Sequence, residues 1–174
     1  MKGMLSEFFA SQDWSDLNGV ARIALSKKTE GRGSRDFGFE CLVQIKLASY
    51  FLENFESSGE FKVYVGERLG RLKIKPDLTL VKPDWSEGTL LELKTIADNN
   101  FSWLKGDVEK LRRVNLPWDK FLLSVNCYLS PQAFEKSSLS AERFAEREAV
   151  GLLLFKPFYK SDCGVTFSYA LFKV

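Results

Sequence analysis

The 174-residue sequence contains no histidine. That absence excludes Ser/His/Asp and Cys/His nucleophile pairs, HExxH zinc sites and every histidine-based route to phosphodiester or phosphoryl chemistry. Any catalysis must run on carboxylates, lysine or a bound metal. Cysteine is scarce: Cys41, Cys127 and Cys163 are odd in number and widely spaced, which argues against a disulfide framework or zinc cluster and predicts small buried hydrophobes. No apolar run approaches the ~18 residues of a membrane span, and Met1 to Ala10 lacks the segments of a secretion signal. A cytoplasmic protein with no membrane partner is therefore expected. A large excess of either charge is missing too, since 25 Lys and Arg against 23 Asp and Glu leave +2. Such a balance indicates nucleic-acid binding only if the cations are unevenly placed.

What is present is an ordinary globular composition, 45% hydrophobic and 28% charged, on a chain whose length suits a single domain over 1–174. Leu5, Phe8, Phe9 and Trp14 have the spacing of a short docking helix. The polar, Gly-rich stretch from Ser26 to Ser34 reads as a loop, whose nearby Lys27, Lys28, Arg32 and Arg35 are either simply solvated or border a phosphate-binding groove. From Asp36 to Phe55 the spacing predicts a helix, with Phe39, Leu42, Ile45 and Leu52 on one side and Val43, Leu47 and Phe51 beside them. Glu40 and Gln44, one turn apart, share a face that is either the exposed stripe of this apolar helix or the edge of a site.

Three strand-like runs follow: Phe61 to Gly66, Arg71 to Val81 and Thr89 to Ile96. In the second, Leu72, Ile74, Leu78 and Leu80 point one way, and Arg71, Lys73, Lys75, Asp77 and Thr79 the other. In the third, Leu91 and Leu93 oppose Glu92 and Lys94. If both leucine faces join one core in an antiparallel pair, Asp77 must lie opposite Glu92 or Lys94, and a one-residue slip would part the carboxylates. Asp98, Asn99 and Asn100 then offer caps for a helix burying Phe101, Leu104, Val108 and Leu111, weakened at Gly106 and ended by Pro117. Phe121 to Leu129 reads as a buried strand, and Pro131 opens helical segments reaching Val150. Leu152 to Lys160 and Val165 to Val174 form a closing hairpin. The order predicts an α/β domain on a mixed sheet.

Pro76-Asp77 followed by Glu92-Leu93-Lys94 resembles the PD-(D/E)xK motif of restriction-endonuclease-like nucleases. Pro83-Asp84 is a second Pro-Asp pair, but Asp84 falls in a connecting loop, whereas Asp77 lies on the polar face of an alternating strand. The resemblance covers residues 36–129 and implies an αβββαβ core, a mixed central sheet flanked by helices. Residues 1–35 and 130–174 are additions, the latter a C-terminal helix and β-hairpin. It further implies metal-dependent hydrolysis of phosphodiester bonds, most naturally as a DNA endonuclease, with a homodimer as the way to cut two strands. The alternative is the same fold kept for binding nucleic acid or a protein partner without catalysis.

Asp77 and Glu92 would be the core metal ligands, the Leu93 carbonyl would complete the set, and Glu40 would be a further ligand with Gln44 as helper. Oxygen ligands of this kind select Mg2+, with Mn2+ as a substitute. Lys94, whose free pKa is ~10.4, would act as a charged orienter of the attacking water. Lys73, Lys75, Lys105, Lys110 and Arg113 flank the acidic residues in sequence and would contact phosphates without reading bases. Trp85, Trp103 and Trp118 either stack on a base or pack into the protein.

Overall fold

A computed structural model describes residues 1–29, 39–68 and 74–174. Its centre is a six-stranded mixed sheet in the order β1-β2-β3-β4-β6-β5, from β1 (Lys62–Val65), β2 (Leu78–Val81), β3 (Gly88–Ala97), β4 (Asp119–Tyr128), β5 (Gly151–Lys160) and β6 (Thr166–Lys173). Neighbours are antiparallel except β3 and β4, which run parallel. A parallel step needs a crossover, and a 3-10 turn at Phe101–Leu104 leading into α4 (Lys105–Arg112) provides it. The chain is thus α/β with helices on both sheet faces.

Strand alternation sorts the core. Leu78, Leu80, Leu91, Leu93, Leu123 and Val125 join one apolar cluster with α1 (Lys2–Ser11), α2 (Leu17–Thr29) and α3 (Glu40–Phe51). Leu90, Ile96, Leu122 and Phe172 join the other, beneath Leu104, Val108 and Leu111 of the crossover and Phe144 of α6 (Ser137–Glu148). A short α5 (Pro131–Glu135) precedes α6, and the Ser130 hydroxyl caps it by accepting from Ala133 N at 3.2 Å.

Several expectations change. Helix α2 has a narrow buried stripe of Leu17, Ala21 and Ala24, and it takes in Ser26 to Thr29, which the loop reading had claimed. The remainder of that stretch, with Arg32 and Arg35, lies outside the described residues. Helix α3 is shorter than Asp36 to Phe55, passing into a π-type turn at Leu52–Glu56. It buries Val43, Leu47 and Phe51 while Ile45 is 65% and Leu52 40% exposed, because two residues of helix turn Ile45 away from Val43. The break near α4 falls at Leu104, one turn's start ahead of Gly106, and Asn100 makes no side-chain capping bond there. Cys127 is buried as expected, but Cys41 and Cys163 are exposed free thiols. No helix among the described residues is long and apolar enough to cross a membrane.

The largest change concerns β2. Only Leu78–Val81 is strand, and Ile74 packs into the crossover-side cluster, on the face opposite Leu78 and Leu80. Pro76 has no N–H for a ladder and restrains the residue before it, so the alternation stops there. Arg71, Leu72 and Lys73 lie outside the described residues.

Candidate metal centre at an open strand edge

Strand β2 pairs with β3 from Val81 opposite Gly88 to Leu78 opposite Leu91, and then ends. β3 continues to Ala97 with only β4 beside it. Alternate residues of a strand address alternate neighbours, so the N–H and C=O groups of Leu93 and Thr95 face the edge that β2 has left. Two carboxylates meet those donors. Asp77 Oδ2 accepts from Leu93 N at 2.7 Å. Glu40 Oε2 accepts from Thr95 N at 3.1 Å and from Thr95 Oγ1 at 3.4 Å. Continuing the register by one residue sets Asp77 opposite Glu92, one of the two juxtapositions, with Glu92 or Lys94, that strand parity allows. Gln44, one turn beyond Glu40 on α3, donates from Nε2 to the Asp77 carbonyl at 3.5 Å.

Glu92 points from the crossover face and is only 3% exposed. Lys110, on α4, places Nζ 2.7 Å from Glu92 Oε2 and donates a second bond to the Lys75 carbonyl at 3.0 Å. Glu92 Oε1 is buried with no donor. Lys94, two residues along the same face of β3, sets its ammonium 3.6 Å from Glu40 Oε2. Asp107 joins these groups from the first turn of α4, three residues before Lys110 and so on the same side of the helix.

The electrostatics reflect this crowding. Burial pushes the Glu92 carboxyl up to about 7; the Lys110 hydrogen bond opposes the rise and the Asp77 charge adds to it. Asp77 is also raised by burial, against the Leu93 N–H and Lys110, with Glu40 repelling it and the Glu92 carboxyl within hydrogen-bond reach. Asp107 is raised by burial too, countered by Lys94 and Lys110. Asp77, Glu92 and Asp107 therefore lie in one field, each raised by burial and each feeling its charged neighbours, so these three carboxyls do not titrate independently.

The donor chemistry of these groups is of the kind that a hard divalent cation takes. The Asp77 and Glu92 carboxyls and the edge-facing Leu93 carbonyl are oxygen donors of the type Mg2+ prefers, and a buried Glu92 oxygen without a donor calls for a proton or a cation. Among the described residues, no group of three or more acidic or thiol side chains is placed to hold a metal ion. Glu40 is engaged by Thr95 and Lys94, and Lys110 stands against Glu92.

The expected phosphate contacts divide. Lys75 is exposed just before Asp77, Lys105 is exposed at the start of α4, and Arg113 is exposed one residue past its end. Lys73 lies outside the described residues. Lys110 is not on an outer face but inside the acidic centre. Arg112 instead ties α4 to the end of α6, donating to the carbonyls of Glu148 and Ala149. Trp85 and Trp103 are 45% and 41% exposed, and Trp118 is half-buried. Asp107 was missed from sequence, although an acid three residues before a lysine on the helix that follows the motif was the available signal.

No protein-family model and no solved structure matches the chain. It is 36% identical to a protein of Aquifex aeolicus (strain VF5), uncharacterized protein aq_aa32, over 177 aligned positions that cover 91% of this chain and 89% of the relative.

Proposed function

The chain belongs to the family of that Aquifex aeolicus protein, and we propose that it is a divalent-metal-dependent nuclease of the PD-(D/E)xK kind that acts on DNA. One observation carries this reading: where β2 leaves β3, Asp77 bonds Leu93 N directly opposite a buried Glu92 with an unsatisfied oxygen. The order α3, β1, β2, β3, α4, β4 is the order that the resemblance implies, and it supports a restriction-endonuclease-like core.

In this reading Asp77, Glu92 and the Leu93 carbonyl hold Mg2+, for which Mn2+ can substitute. The bound ion would acidify a water and offset charge on the transferring phosphoryl group. Lys94 orients the attacking water or the scissile phosphate. Glu40 positions Lys94 through their ion pair and fixes the strand edge through Thr95, while Gln44 steadies the Asp77 backbone. Lys75, Lys105 and Arg113 contact backbone phosphates, which gives affinity without sequence reading. A homodimer would bring two such centres to the two strands of a duplex.

The Lys110–Glu92 pair favours one competing reading, a protein that binds nucleic acid or a protein partner and hydrolyses nothing, because the ammonium already neutralises the carboxylate. Cleavage of plasmid, linear duplex and single-stranded DNA, with Mg2+, Mn2+ or chelator, separates the two. Metal-dependent cleavage that falls by about a hundredfold or more in Asp77→Ala and Lys94→Ala is expected. Equal cleavage by those variants would assign the activity to another site, and DNA binding by wild type without cleavage of any substrate would establish the competing reading.

A further inference from the structure

The cation found against Glu92 is a side chain. The Lys110 ammonium touches Glu92 Oε2 at 2.7 Å and the Lys75 carbonyl at 3.0 Å, so one group bridges α4, β3 and the segment that enters β2. A carboxylate this deeply buried requires a counter-charge, and Lys110 satisfies one oxygen while leaving Oε1 without a donor. Any metal ion held by Glu92 competes with that ammonium for the same carboxylate. Lysine can yield: its head sits on a flexible four-carbon stem, and the Lys110 side chain is 33% exposed, enough for the ammonium to withdraw to water while α4 stays in place. Val108 and Leu111, buried on either side of it in the sequence, anchor the helix.

We propose that Lys110 is the resident counter-cation of the centre, displaced from Glu92 when a divalent ion binds, and that it thereby sets the metal affinity. This rests on the metal-centre reading above. Displacement also releases the Lys75 carbonyl and leaves the Lys110 ammonium beside the site, where it can meet a substrate phosphate. Metal binding and phosphate capture become coupled through one side chain. A merely structural Lys110 would stabilise the fold equally with or without metal and would not affect how tightly metal binds.

Mn2+ titration of the full-length protein without DNA, followed by the electron-spin signal of free Mn2+, tests this. Lys110→Met and Lys110→Gln should each bind Mn2+ about tenfold more tightly than wild type, or better, since the competing charge is gone. Asp77→Asn should bind it much more weakly. Thermal melts establish that each variant is folded, and Lys110→Gln, which keeps a donor for Glu92, serves if Lys110→Met does not fold. If both Lys110 variants bind Mn2+ no more tightly than wild type while Asp77→Asn weakens binding, the displacement role is wrong and the metal centre stands. If wild type and the Lys110 variants all bind no Mn2+, the metal centre itself falls, and the displacement role with it.

Discussion

The two ends of β3 solve the same problem in different ways. At its start, Gly88 pairs with Val81 on one side, and Thr89 pairs with Asp119 on the other. The tight loop before it closes on backbone bonds, Trp85 N to the Lys82 carbonyl at 2.9 Å and Lys82 N to the Glu87 carbonyl at 3.0 Å. Trp85 accepts a positive φ of 62° there, and a Cβ at Gly88 would fall 2.5 Å from the Trp118 ring. At its finish, β2 is gone, and carboxylates meet the strand's donors instead. Backbone partners leave nothing to exchange. Carboxylates can trade a proton, an ammonium or a metal ion, which is why the proposed chemistry is placed where the sheet opens.

Substitutions at the two ends should therefore separate function from stability. The largest effect is expected from Asp77→Asn, which keeps an acceptor for Leu93 N but removes the charge: cleavage should fall by about a hundredfold to a thousandfold, with little change in thermal midpoint. Gly88→Ala should do the reverse, costing roughly 1 to 3 kcal/mol by overpacking against Trp118 while leaving Mn2+ affinity unchanged. Chemical denaturation and metal titration of the same variant check both halves. A Gly88 variant with normal stability would mean that the Trp118 ring yields freely.

A smaller effect should appear in the pH dependence of metal-free stability. Glu92 is raised from its ordinary value of 4.5 to about 7, so the folded protein holds this proton more tightly than the unfolded chain. Its contribution to stability is greatest below about 4.5 and is lost as pH rises towards about 7. Thermal midpoints measured across that window should decline more steeply for wild type than for Glu92→Gln; parallel curves would show that Glu92 ionises normally. The smallest effect is expected from Lys105→Ala, a modest loss of DNA affinity with the salt-dependence slope reduced by about one.

Much of this architecture was legible from periodicity. The run that became β3, the apolar β4 and the closing hairpin are each bounded by turn residues that mark them as strands, whereas the α3 helix was legible but its buried face was not, since Ile45 and Leu52 of the expected face are exposed. Helix α2 escaped because alanines form most of its buried stripe, and alanine contrasts weakly with its neighbours. β2 is shorter than its alternating sequence suggests, because the alternation runs on through Pro76, where the chain turns and sends Ile74 to the other face. At the site, strand parity put Asp77 on the face of Glu92 and Lys94, and the register of β2 on β3 then selects Glu92. Lys110 was not legible, since its reach to Glu92 depends on how α4 crosses the sheet, and no local pattern encodes that crossing. The same holds for the Arg112 tether to α6.

On the proposed reading, the edge vacated by β2 is a divalent-metal centre. Anomalous scattering from crystals grown with Mn2+ tests it most directly. A Mn2+ ion held by Asp77, Glu92 and the Leu93 carbonyl, with the Lys110 ammonium withdrawn from Glu92, is the expected result. Mn2+ absent from this edge, with Lys110 still against Glu92 in crystals of a protein that cleaves DNA, would contradict it.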